Sequence, residues 1–153
     1  MKRIVLLLVF MVCYGNAQVS DFKSIDFTLA DNIAKLNKGA SLKDMGKLVY
    51  NLTNKLSTDV EKFRAIHSWV CQNIRGDYSQ HTKPLRKRRR YKNDDAYFTW
   101  NNKYRKKAFN KLMRRKLTMC TGYAYIIKEL SFLAGIEAEI IDGYARTADA
   151  NVE

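Results

Sequence analysis

The sequence predicts an α+β domain in which helices fill most of the chain and a strand follows them. Three observations carry this. Thr58-Asp59-Val60-Glu61 is a capping box, and Val60, Phe63, Ile66, Trp69 or Val70, and Ile74 recur behind it at helical spacing. A second stripe, Tyr123, Ile126, Ile127, Leu130, Leu133 and Ala134, steps by threes and fours, with Gly135 placed to close the helix. Ile136-Glu137-Ala138-Glu139-Ile140 then alternates apolar and polar, the period of a strand. At 153 residues and 46% hydrophobic content, the chain suits one compact domain with a real core.

The N-terminus is read separately. Met1-Lys2-Arg3 is a short basic start, Ile4 to Val12 is unbroken apolar sequence, and Gly15-Asn16-Ala17 offers small residues where a signal peptidase reads. The pattern predicts a secretory signal peptide over residues 1–17, and hence a secreted or periplasmic protein. Nine apolar residues are too few to span a bilayer, no other stretch is apolar enough to do so, and bulky Val12 argues against a lipid anchor on Cys13. Cleavage after Ala17 leaves 136 residues with a formal charge of +11. So basic a chain suggests an anionic neighbour: a cell-wall polymer, a membrane surface or nucleic acid.

Residues 18–56 read as a helical lead-in. One short helix is expected over Leu29–Leu36. A second opens at Ser41, a candidate N-cap, and places Leu42, Met45, Leu48, Val49 and Leu52 on one face. Asn51-Leu52-Thr53 matches a glycosylation acceptor, a weak signal on a helix. The capped helix from Thr58 is expected to end at Gly76 and to bury Cys71 as a small thiol beside Val70.

From Gln80 to Lys107 the periodicity disappears. Lys83-Pro84 leads into Arg86-Lys87-Arg88-Arg89-Arg90, and Tyr91, Tyr97, Phe98, Trp100 and Tyr104 are interleaved with further cations. This stretch reads as a basic insertion of loop character. It is either a solvated face or a dedicated anion site, with rings that either pin the loop to the body or stack on bases. Ala108 to Lys116 returns to helical spacing, with Phe109, Leu112 and Met113 expected in the core.

Removal of the signal leaves two cysteines, Cys71 and Cys120, and their spacing does not decide whether they pair. No CxxC pair or His/Cys cluster has metal-ligand spacing, so no zinc site is expected, and nothing in the pattern calls for a cofactor. Cys120 stands at the start of the predicted helix over Cys120–Ala134. Unpaired backbone N–H groups and the positive end of the helix dipole lie there, and both favour a thiolate. The same N–H groups can receive the oxyanion of a tetrahedral intermediate. The position suits acyl transfer, and small Gly122 would let a substrate backbone approach. The bland alternative is a buried residue at a helix start.

Met119-Cys120-Thr121-Gly122-Tyr123-Ala124, the helix ending at Leu133-Ala134-Gly135-Ile136, and Ile140-Ile141-Asp142-Gly143-Tyr144-Ala145-Arg146 together resemble the bacterial transglutaminase-like superfamily. So does the upstream stretch Glu61-Lys62-Phe63-Arg64-Ala65-Ile66-His67-Ser68-Trp69-Val70, with Asn73-Ile74-Arg75 and Asp77-Tyr78. The resemblance runs from about Leu56 to Arg146. It implies a papain-like cysteine-protease core over residues 57–153 with Cys120 as the nucleophile, Gly122 and Tyr123 as structural neighbours, and the sheet incomplete in this chain. It also implies a histidine base and an orienting aspartate on later strands. No histidine follows Arg146, and Met119 stands where glycine-valine is common. The chain therefore reads as truncated before its base. His67 and His81 carry no spacing that makes them substitutes, and Asp142 and Asp149 would have no base to orient.

Two functions follow as expectations. One is a secreted cysteine acyltransferase or peptidase, monomeric, acting on peptide or glutamine amides, cell-wall peptide among them, through a Cys120 thioester. The other is a non-catalytic basic module that binds an anionic surface.

Overall fold

A computed structural model describes residue 22, residues 24–141 and residue 143. The signal segment, Cys13, Asp142, Tyr144-Ala145-Arg146 and Asp149 lie outside the described residues. In chain order the elements are α1 (Thr28–Leu36), α2 (Met45–Thr53), α3 (Asp59–Asn73), β1 (Arg75–Gly76), α4 (Ser79–Arg90), α5 (Asp94–Arg115), β2 (Leu117–Thr118) and α6 (Cys120–Leu133). The described fold is mostly helical, with two short parallel strands, Arg75 opposite Leu117 and Gly76 opposite Thr118.

The core lies between α1, α2, α3 and α6. Leu42, Leu52, Ile66, Trp69, Val70 and Leu130 are its largest fully buried apolar side chains. Asp44, not Ser41, caps α2, accepting from the Lys47 amide at 2.9 Å. Leu42 is buried all the same, ahead of the helix. The capping box of α3 forms as expected, Thr58 and Glu61 each satisfying the other's backbone.

The residues of α3 that carry the resemblance hold the lead-in to this core. Arg64 clamps Asp31 with two hydrogen bonds of 2.9 Å, and the Ser68 hydroxyl donates to the same carboxylate at 2.6 Å. The Trp69 indole N–H donates to the Asn37 carbonyl at 2.8 Å. The Asn73 side chain accepts from the Gly39 amide at 2.6 Å. This part of the pattern is scaffold, and its job is to tie α1 and the loop after it to α3.

The chain path corrects four expectations. Residues 80–107 are not a loop: all but Tyr91, Lys92 and Asn93, which connect the two helices, lie within α4 and α5, and the helix expected over Ala108–Lys116 is the last third of α5. Its Leu112 is buried, but Phe109 is exposed. Asn93 starts α5 by accepting from the Asp95 and Ala96 amides, and Asp94 and Asp95 then lie favourably at the dipole's positive end. Second, α3 ends at Asn73 rather than Gly76, because Ile74 turns extended to enter β1. Third, Cys71 is exposed rather than buried. It falls on the helix line of Val60, Phe63 and His67, all exposed, while Ile66, Trp69 and Val70 take the core. Fourth, Ile136–Ile140 forms no strand. Its exposure alternates as a strand's would, but among the described residues no strand pairs with it, and a strand needs a partner ladder to form.

Candidate functional site

The segment before Cys120 is set by β2. The Arg75 amide donates to the Lys116 carbonyl at 2.8 Å and the Asp77 amide to the Thr118 carbonyl at 2.7 Å. Lys116 turns the chain out of α5 in the left-handed conformation, at φ 52°. Its ammonium donates to the Gly39 carbonyl at 2.8 Å and lies over the Trp69 ring.

Asp77 reinforces this corner. Its carboxylate accepts from Lys111 on α5, from the Ser79 hydroxyl at 2.6 Å and from Gln80 at 3.0 Å, and Gln80 also reaches the Leu117 carbonyl. Those hydrogen bonds, led by Lys111, hold the Asp77 carboxyl far below its ordinary range. Nothing in the sequence around Asp77 marks this role. Its distance from Lys111 in the chain hides the pair.

Helix α6 then begins at Cys120. Its N-cap, Met119, is extended and supplies no side-chain hydrogen bond to the first turn, so among the described residues no cap side chain takes the amides of that turn. Cys120 is exposed at the first helical position. Thr118 is buried, and a Cβ added to Gly122 would overlap its Oγ1 and lie 2.8 Å from its Cβ. The small size of Gly122, expected from the sequence to let a substrate backbone approach, is required here by the Thr118 side chain. The Tyr123 hydroxyl donates to the Ile74 carbonyl at 2.7 Å, and burial raises its pKa above the ordinary phenol value. The far end of α6 closes as expected: Gly135 sits at φ 78°, its amide donates to the Phe132 carbonyl at 3.0 Å and the Ile136 amide to Ser131 at 2.9 Å.

The two histidines lie elsewhere. His67 stacks on Phe63 and its Nε2 is 3.7 Å from the Cys71 Sγ. His81 lies beside Tyr78 in the first turn of α4. Among the described residues no hydrogen bond joins either one to Cys120. Cys71 and Cys120 are both free thiols. No group of three or more His, Cys, Asp or Glu side chains is arranged as metal ligands among the described residues. No helix among them is long and apolar enough to cross a membrane.

The site is thus an exposed thiol at the uncapped start of a helix, behind a short parallel strand. Two peptidases share part of this sequence. Kyphoscoliosis peptidase of Homo sapiens is 26% identical over 102 residues, 67% of this chain and 13% of the relative. Kyphoscoliosis peptidase of Mus musculus is 24% identical over a stretch of the same size. The chain spans about an eighth of the length of these relatives. No family model and no solved structure matches it.

Proposed function

We propose that this chain carries the nucleophile of a secreted transglutaminase-like cysteine peptidase or acyltransferase. The observation that carries the reading is the placement of Cys120, exposed at the first position of α6 and behind an N-cap whose side chain takes none of the first-turn amides. The resemblance of its surroundings and the likeness to two peptidases support it.

In this reading the Cys120 Sγ attacks the carbonyl carbon of a peptide or glutamine side-chain amide. The carbonyl oxygen becomes an oxyanion and accepts from first-turn N–H groups. The base takes the thiol proton as Sγ attacks; collapse then breaks the C–N bond, the protonated base returns that proton to the departing amine, and a Cys120 thioester remains. Water resolves it to an acid, or a second amine to a new amide. The reading requires a histidine base with an orienting acid, and neither His67 nor His81 is bonded to Cys120. The relatives' name favours water as the acceptor.

The test is amide turnover by the native protein, isolated from its own host, against Cys120→Ser and Cys71→Ser variants. Turnover should vanish with Cys120→Ser and persist with Cys71→Ser. Loss on Cys71→Ser, or survival of Cys120→Ser, overturns the assignment.

A further inference from the structure

The chain's charge is concentrated in one place. Residues 79–116 hold 15 Lys and Arg against two acids, Asp94 and Asp95, and the remaining residues hold 13 of each sign. The whole formal charge of +13 therefore belongs to α4, α5 and their flanks. These helices add almost nothing to the core: α4 buries no residue and α5 buries only Leu112. Few of the cations are neutralised. Arg88 pairs with Asp94 and Lys111 with Asp77, and these are the segment's ion pairs among the described residues.

The aromatic residues divide into two sets. Trp100 stacks on Tyr104 with centroids 5.0 Å apart, Lys87 lies over Tyr91 and Trp100, and Arg88 over Tyr97. Lys87 and Arg88 on α4 thus reach Trp100 and Tyr97 on α5 and Tyr91 between the helices, and Tyr91, Tyr97, Trp100 and Tyr104 are each half-buried. The outward set is different: Phe98 is 57% exposed, Phe109 59% and, on α4, Leu85 50%. Phe98 and Phe109 are eleven residues apart, three turns, and share one face of α5 about 16 Å along its axis. Arg105 lies on that face between them, with Lys106 beside it.

We propose that α4 and α5 form a docking surface for a bilayer rich in anionic lipid headgroups, with α5 lying in the plane of the interface. Cations on a helix face attract anionic headgroups, and apolar side chains projecting among them enter the headgroup–acyl boundary. The apolar projections separate this occupant from a nucleic acid. A single strand would need open ring faces for base stacking, and Tyr91, Tyr97, Trp100 and Tyr104 are half-buried and already engaged by a cation or a neighbouring ring. The inference does not depend on Cys120 and stands or falls apart from it.

The experiment is vesicle flotation with the full native protein. One set of vesicles mixes phosphatidylglycerol with phosphatidylcholine, and the other is phosphatidylcholine alone. The protein should float with the first set only, and the bound fraction should fall steeply as salt rises. Arg105→Glu with Lys106→Glu should weaken binding at least about tenfold. Phe98→Ser with Phe109→Ser, which leaves the charge unchanged, should weaken it several-fold. All four residues lie outside the core, and far-UV circular dichroism checks that each variant folds. Absence of binding to the anionic vesicles overturns the proposal. So does a phenylalanine variant that binds like the parent, because the surface would then be only electrostatic. Tighter binding to a single-stranded oligonucleotide than to the vesicles would assign the surface to nucleic acid instead.

Discussion

The Tyr123 hydroxyl donates to the Ile74 carbonyl at 2.7 Å, and this one bond ties the first turn of α6 to the end of α3. Ile74 leaves α3 in an extended conformation on its way into β1, so its carbonyl is not used by the helix ladder. Tyr123→Phe removes the donor and keeps the ring. Urea unfolding should show a loss of about 1 kcal/mol. Amide turnover should fall as well, because Cys120 sits one turn earlier on the same helix.

Gly122 and Thr118 are matched by shape. Gly122→Ala drives a methyl into the buried Thr118 side chain and should cost about 1–3 kcal/mol. Thr118→Ala deletes Oγ1 and Cγ2 but keeps Cβ, which is still too close. In the double variant it should restore part of the loss, a coupling that thermal unfolding of all four species measures.

Asp31 predicts an acid limb of stability. Hydrogen bonds from Arg64 first, and Ser68 second, lower its pKa to about 2, against about 3.9 for an unfolded aspartate. A depressed carboxylate stabilises fully above the unfolded value and loses that contribution as pH falls through the folded one. Stability should therefore decline between about pH 4 and pH 2 on this account, by no more than about 1 kcal/mol, because the Arg64 side chain is 44% exposed. Asp31→Asn should flatten that part of a pH-dependent unfolding series.

Ser131 is fully buried in α6, and its hydroxyl has no hydrogen-bond partner among the described residues. Burying an unpaired hydroxyl is unfavourable. Ser131→Ala should leave stability unchanged or raise it by up to about 1 kcal/mol in chemical denaturation.

Local chemistry made part of this fold legible. The Thr58–Glu61 box and the Gly135 closure involve residues within a few positions of each other, and both form. The motif of Arg64, Trp69 and Asn73 was visible as a pattern but not as a purpose, since its partners Asp31, Asn37 and Gly39 lie more than thirty residues away. Helices α4 and α5 escaped because they give the core only Leu112, so no apolar stripe marks them. Asn93 before two aspartates, and Tyr97, Trp100 and Tyr104 at spacings of three and four, were the available signals. Cys71 was misplaced because Val70 and Cys71 are adjacent in sequence but 100° apart around a helix. Ile136–Ile140 kept its alternation without a partner strand.

The central claim is that Cys120 carries the acyl group. The most direct measurement is to incubate the native protein with a peptide ester, quench in acid, and locate the adduct by peptide mass spectrometry. The account predicts an acid-stable acyl mass on the peptide containing Cys120 and none on the peptide containing Cys71. An adduct on Cys71, or none on either cysteine while the ester is still turned over, would contradict it.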